Sequence, residues 1–153
     1  MQYYTNENIM RIDRVPEHLV ILGSGYIATE FANVFSGMGS TVTLIGRSPV
    51  LLKHLDNELS ELFTEIAREK WDVRLGQGTT AIDQVEKQRE DGSSYFETTI
   101  TFEDGSTVTG DAFLVATGRT PNTDRLGLDN GSGVKVERGR VVVDKYGLSL
   151  IHI

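Results

Sequence analysis

Six consecutive residues, Gly23-Ser24-Gly25-Tyr26-Ile27-Ala28, have the types and spacing to hold a ligand that carries phosphate. Gly23 allows a tight turn, Gly25 lets a pyrophosphate approach backbone N–H groups, and a small side chain at Ala28 lets a helix pack against the strand before it. An anion held there sits at a helix N-terminus, where unpaired N–H groups and the helix dipole favour negative charge. Ser24, Tyr26 and Ile27 complete the turn and the first helical residues, so all six are candidate contacts to a dinucleotide. A purely structural turn, or another adenosine ligand such as S-adenosylmethionine, is the alternative reading of the same residues.

A second group decides which dinucleotide. Sites that take NAD carry Asp or Glu about 20 residues after the glycines, where the carboxylate binds the ribose hydroxyls. Here that place holds Gly46, followed by Arg47, Ser48 and, further on, Lys53. A guanidinium can make charge-assisted bonds to a 2′-phosphate, and a missing carboxylate removes the repulsion that rejects that phosphate. These residues point to NADPH. The competing explanation is that Arg47 and Lys53 are solvated surface cations.

The elements that position these groups follow from the pattern around them. Leu19-Val20-Ile21-Leu22 is apolar without alternation, as in a parallel strand buried on both faces. Ile27, Phe31, Val34, Phe35 and Met38 recur at helical spacing, with Gly37 and Gly39 as exit signals. Thr41-Val42-Thr43-Leu44-Ile45 is a second strand, which completes a strand, helix, strand unit with a right-handed crossover. That context raises the glycine pattern above a chance match. Asp56 is a good N-cap for a second helix, with Leu59, Leu62, Phe63 and Ile66 on one face, and Val73-Arg74-Leu75 follows as a third strand.

Beyond Thr79 the pattern changes. Alternating segments up to Thr109 are separated by Asp91-Gly92 and Asp104-Gly105, which predicts an antiparallel meander. Asp111-Ala112-Phe113-Leu114-Val115-Ala116 returns to a buried strand and is followed by a sharp turn at Thr117-Gly118-Arg119-Thr120-Pro121-Asn122. Val134-Lys135-Val136 and Val141-Val142-Val143 are short strand candidates after a loop that holds Asp129-Asn130. At the other end, Thr5 is a candidate N-cap for a short helical turn, and Pro16 closes the approach to the first strand. The expected fold is α/β: a Rossmann-like, three-layer NAD(P)-binding domain with a parallel sheet and an antiparallel β-meander.

Composition narrows the function classes. The chain has 153 residues, enough for one domain, and a formal charge of −7 that argues against nucleic acid or an anionic membrane as the main partner. No segment is long and apolar enough to span a bilayer, and the polar start does not resemble a signal peptide. With no cysteine there is no disulfide scaffold, thiolate metal site or cysteine nucleophile in this chain. A cytoplasmic location is expected, and no metal site is.

Taken together, Gly23-Ser24-Gly25-Tyr26-Ile27-Ala28-Thr29-Glu30 and Ala116-Thr117-Gly118-Arg119-Thr120-Pro121-Asn122 resemble the NADPH domain of the FAD-dependent pyridine nucleotide-disulfide oxidoreductases, the group of glutathione reductase and dihydrolipoamide dehydrogenase. The two motifs occur in the family's order, on either side of the meander. The likeness extends to about Gly147. Residues 4–11 and 30–36 look most like one branch of the family.

The resemblance implies roles that composition does not. Tyr26 matches a tyrosine whose ring lies over the flavin and swings aside for nicotinamide. Glu30 matches a glutamate that pairs with a lysine on the flavin side. Arg47 and Lys53 match basic residues around the 2′-phosphate, Gly118 a close passage of the chain by bound cofactor, and Thr79 a backbone contact near the adenosine. The family likeness also implies a division of the chain: residues 1–17 as a linker from a missing FAD domain, 18–123 as the NADPH-binding domain, and 124–153 as the start of the return to the FAD domain. Residues 148–153 depart from the family pattern. The FAD half with its redox cysteine pair, and the interface domain with its active-site histidine, are missing, and His18, His54 and His152 do not match that histidine. No residue here is expected to be catalytic. The parent is expected to be a homodimer that uses NADPH and FAD. A free-standing NAD(P)-binding regulatory module is the alternative.

Overall fold

The computed structural model describes residues 1–128 and 131–149; Asp129-Asn130 and residues 150–153 lie outside the described residues. The chain divides into two compact units, Met1–Thr117 and Gly118–Ile153.

In the first unit the order is β1 (His18–Leu22), α1 (Tyr26–Gly37), β2 (Thr41–Gly46), α2 (Asn57–Lys70), β3 (Asp72–Leu75), β4 (Thr79–Gln88), β5 (Ser94–Phe102), β6 (Thr107–Gly110) and β7 (Ala112–Val115). Strands β3-β2-β1-β7 form one sheet, parallel throughout. Strands β4-β5-β6 form an antiparallel meander. The unbroken apolar run of β1 is explained by what covers it. Leu19 and Ile21 pack with Ala28, Ala32, Phe35, Leu44 and Leu114 on the helix side. Val20 packs with Ile45, Ile100, Phe102 and Phe113 on the meander side. Alternate residues of one strand therefore serve two cores, and the unit has three layers: helices, parallel sheet and meander.

Both turns of the meander are built alike. Asp91 Oδ1 accepts from the N–H and the hydroxyl of Ser93 at 2.9 and 2.5 Å, and Asp104 Oδ1 accepts from those of Ser106 at 2.9 and 2.6 Å. Gly92 and Gly105 supply the positive φ between them.

The helix faces differ from the sequence expectation. In α2 the buried residues are Ser60, Thr64 and Ala67, Phe63 is half-buried, and Leu59, Leu62 and Ile66 are 55, 54 and 51 % exposed. In α1 the buried set is Ala28, Thr29, Ala32 and Phe35, while Val34 and Met38 are exposed. The buried positions are mostly small, and the hydroxyls of α2 find partners in the loop after β2 and in the helix itself. Thr64 Oγ1 accepts from Leu51 N–H at 2.9 Å and donates to Ser60 C=O at 2.6 Å, and Ser60 Oγ donates to Leu52 C=O at 3.0 Å. Asp56 caps α2 as expected, its Oδ1 accepting from Glu58 and Leu59 N–H. Near the start, the short 3-10 turn Ile9–Arg11 follows Asn8 rather than Thr5, which instead accepts Asn8 and Ile9 N–H through its carbonyl.

The second unit holds a 3-10 turn (Asp124–Leu126) and a small hairpin of β8 (Val136–Glu137) and β9 (Arg140–Val141). The two expected strands are thus shorter than their valine runs. None of its described residues is buried, which is why the pairing stays short.

Candidate dinucleotide-binding site

Strand β1 has β2 on one side and β7 on the other, so successive connections leave it in opposite directions. In an open α/β sheet such a switch point opens a crevice at the carboxyl ends of the strands, and Gly23 stands there, directly after β1. Its φ of +149° is one that side chains rarely adopt, and a Cβ at this position would run into the backbone carbonyl of Ala116, at the end of β7. Gly23 N–H donates to Ile45 C=O at 2.8 Å and Ala116 N–H to Leu22 C=O at 2.8 Å, so the turn is tied to both flanking strands.

Gly25 is under no such demand from the fold. It is extended (φ −90°, ψ −178°), and a Cβ built on it meets nothing within 4 Å. Helix α1 begins just after it with no side-chain cap and no acidic residue in its first turn, whereas α2 has both Asp56 and Glu58. The open end of α1 therefore keeps its positive dipole uncompensated by any carboxylate of its own first turn. Ala28 is fully buried between α1 and the sheet, and Ile27 beside it is half-buried.

The loop after β2 is drawn against this turn. Leu52 N–H donates to Ser24 C=O at 2.8 Å, with Leu52 itself at a left-handed φ of 54°. The structure thereby brings Ser24 together with the segment that carries Arg47, Ser48 and Lys53. Arg47 and Lys53 are exposed and make no side-chain hydrogen bond or ion pair among the described residues. Ser48 Oγ accepts Val50 N–H at 3.4 Å. Leu52 and Ala116 act through backbone atoms. Sequence reasoning missed both, because a leucine at positive φ runs against its preference and a carbonyl contact leaves no mark on residue type.

Tyr26, 57 % exposed, and Glu30, one turn later and exposed, line a groove of about 440 Å³ between the outer sides of α1 and α2, with Leu52, Leu55, Phe63 and Ile66. Thr79 is exposed at the first residue of β4, in the meander sheet, and is not drawn to the turn by any described contact. Gly118 opens the second unit with a φ of +154°.

His18, at the opposite end of β1 from Gly23, belongs to another network. Its Nε2 and Thr43 Oγ1 are 2.8 Å apart, Thr43 Oγ1 donates to Asp72 Oδ2 at 3.1 Å, and Arg74 Nε pairs with that carboxylate at 2.9 Å. Burial pushes the imidazole below its ordinary value, and the nearby Asp72 and Asp111 oppose that shift. Among the described residues no group of three or more His, Asp or Glu is placed to hold a metal, and no helix is long and apolar enough to cross a membrane.

Comparison with known proteins decides the family: residues 1–152 match the family model described as pyridine nucleotide-disulphide oxidoreductase. The chain belongs to the pyridine nucleotide-disulphide oxidoreductase family. It is 44 % identical over 146 residues to mycothione reductase of Mycobacterium tuberculosis, an alignment that covers 95 % of this chain and 30 % of that protein. It is 38 % identical over 138 residues to glutathione reductase of a Nostoc species, covering 89 % of this chain and 28 % of the relative. Among solved structures, the Cu(II) complex of the HOCl-induced flavoprotein disulfide reductase RclA from Escherichia coli superimposes with a TM-score of 0.78 at 31 % identity, over 97 % of this chain and 32 % of that one. The chain spans about a third of the length of these pyridine nucleotide-disulphide oxidoreductases.

Proposed function

We propose that this chain is the NADPH-binding domain of a flavin-dependent disulfide reductase of the mycothione reductase type. The observation that carries the reading is the start of α1: a helix with no side-chain cap, opening on a glycine whose Cβ position faces empty space, at the switch point of a parallel sheet. Those features fit a pyrophosphate. Ser24, Gly25, Tyr26, Ile27 and Ala28 would offer it the turn and the first helical N–H groups. NADPH, when bound, would supply a hydride that reduces FAD in the intact parent, from which two electrons would go on to a disulfide.

The residues of this chain bind and orient. Arg47, with Ser48 and Lys53, takes the 2′-phosphate, and Thr79 and Gly118 stay proposed backbone contacts. Tyr26 and Glu30 are assigned to the flavin side, where the groove between α1 and α2 is open to receive the rest of the parent. Residues 1–17 and 124–153 are proposed as the links to that FAD domain, in a cytoplasmic homodimer. The choice of mycothione reductase rests on the 44 % identity and on residues 4–11 and 30–36, which look most like that branch.

Titration calorimetry with NADPH and NADH tests the binding. NADPH is expected to bind more tightly, and Arg47→Ala to weaken NADPH by about 10- to 100-fold, the worth of a charge-assisted bond, while leaving NADH unchanged. A preference for NADH, or an Arg47→Ala chain that binds NADPH as before, overturns the assignment.

A further inference from the structure

Gly46 is the last residue of β2, and its backbone is ordinary: it is not among the glycines at positive φ. What keeps it a glycine is its surroundings. A Cβ built on it lies 2.7 Å from Ser24 Cβ, 2.9 Å from Leu75 Cδ2 and 3.1 Å from Ser24 Oγ. Leu75 Cδ2 is the far end of a side chain and can rotate away. Ser24 Cβ is fixed to a backbone that is itself held, because Ser24 C=O accepts Leu52 N–H and the preceding Gly23 N–H is bonded to Ile45 C=O, both at 2.8 Å. Gly46 has no more latitude, since its carbonyl accepts Gly76 N–H at 3.0 Å. A retreat of either backbone strains one of these bonds.

We infer that Ser24 and Gly46 form a steric lock that determines cofactor specificity. Ser24, the middle residue of the glycine turn, fills the space in which the first carbon of a β2-end side chain would stand. That leaves no room for the carboxylate that binds ribose hydroxyls in NAD sites, and the ribose end is left to Arg47, next along the chain. Specificity for the phosphorylated dinucleotide is thus enforced from the turn as well as by the cation, and Ser24 acts as a positioning residue. This deepens the proposed function and rests on its reading that the turn binds NADPH.

The lock and its consequence have separate readouts on the chain of Met1–Ile153. Thermal melting of Gly46→Ala, Ser24→Gly and the double variant tests the lock without any ligand. Gly46→Ala is expected to lower the melting temperature by roughly 5 °C or more, and adding Ser24→Gly to restore most of the loss, a non-additive cycle. Additive effects overturn the lock. Titration of Gly46→Glu and Ser24→Gly/Gly46→Glu with NADH and NADPH tests the specificity. The single variant is expected to bind neither cofactor well, and the double variant to gain NADH affinity by at least about tenfold over it while NADPH stays weak. A single variant that binds NADH as well as the double overturns the inference. If the unaltered chain prefers NADH, the proposed function falls, while the melting cycle still reads the lock.

Discussion

At the residue scale, the two glycines of the turn serve different masters and should fail differently. Gly23 is a glycine because of the protein: its φ is unfavourable to side chains and its Cβ position is taken by the Ala116 carbonyl. Gly23→Ala is expected to cost about 1–3 kcal/mol or more in urea denaturation, from strained backbone and a displaced β7 end. Gly25 is a glycine with open space beside it. Gly25→Ala is expected to cost under about 1 kcal/mol, the difference between the two residues at an N-cap. Its loss should appear in NADPH titration instead, because a methyl group would stand where the proposed function puts the pyrophosphate. Equal destabilisation by the two substitutions would contradict this division. The types of these residues were visible in the sequence. What makes Gly23 necessary to the fold was not, because it depends on a carbonyl that arrives from 93 positions away.

At the element scale, strands and helices were legible from pattern, but the inward faces of both helices were not. Large apolar residues at helical spacing placed Leu59, Leu62, Phe63 and Ile66 on one face of α2, yet the residues that α2 buries are Ser60, Thr64 and Ala67, the first two bonded to the loop after β2. Hydrophobic spacing weighs apolar size, and it does not register small side chains whose hydroxyls are satisfied by a neighbouring loop. Ala67→Leu is accordingly expected to cost about 1–3 kcal/mol through overpacking. Leu62→Ser, on the exposed face, should stay within about 0.5 kcal/mol. Asp56→Ala should cost about 1 kcal/mol by removing the cap. Chemical denaturation of the three variants ranks them, and a costly Leu62→Ser would restore the face that spacing suggested. The meander was read correctly because its two Asp-Gly-Ser turns are local, complete within a few residues and independent of what packs behind them.

At the scale of the whole molecule, stability should fall in two stages on acidification. His18 has a lowered folded-state pKa, so the unfolded chain takes up its proton first. Stability is then full above the ordinary value of 6.5 and is lost as pH falls from there toward the lowered folded value. Burial is the main cause, with Asp72, Asp111 and Arg74 as the charged groups around the ring. Asp91 and Asp104 add a second decline of the same sign at lower pH. The hydroxyl and N–H of Ser93, helped by Arg14, hold the first below the usual carboxylate range, and those of Ser106 hold the second. Their contribution is present above 3.8 and fades as pH falls through their depressed values. Urea midpoints measured against pH should show the first decline in the unaltered chain and not in His18→Gln; a decline that survives the substitution would assign it to another group. The His18 decline was not readable from the sequence, because it requires knowing that the start of β1 meets β2, β3 and the approach to β7 in one place.

The same central position of β1 has a consequence in time. Its amides are covered by a layer on each side and flanked by a strand along each edge, so a fluctuation that exposes Leu19, Val20 or Ile21 must first dismantle helices, meander or sheet. In deuterated water these hydrogens should be the slowest to exchange, released only as the whole unit opens, while the amides of the β8–β9 hairpin are replaced early. The strand that leads into the glycine turn is then the molecule's slowest clock, and a ligand seated at its end would lengthen the interval it keeps.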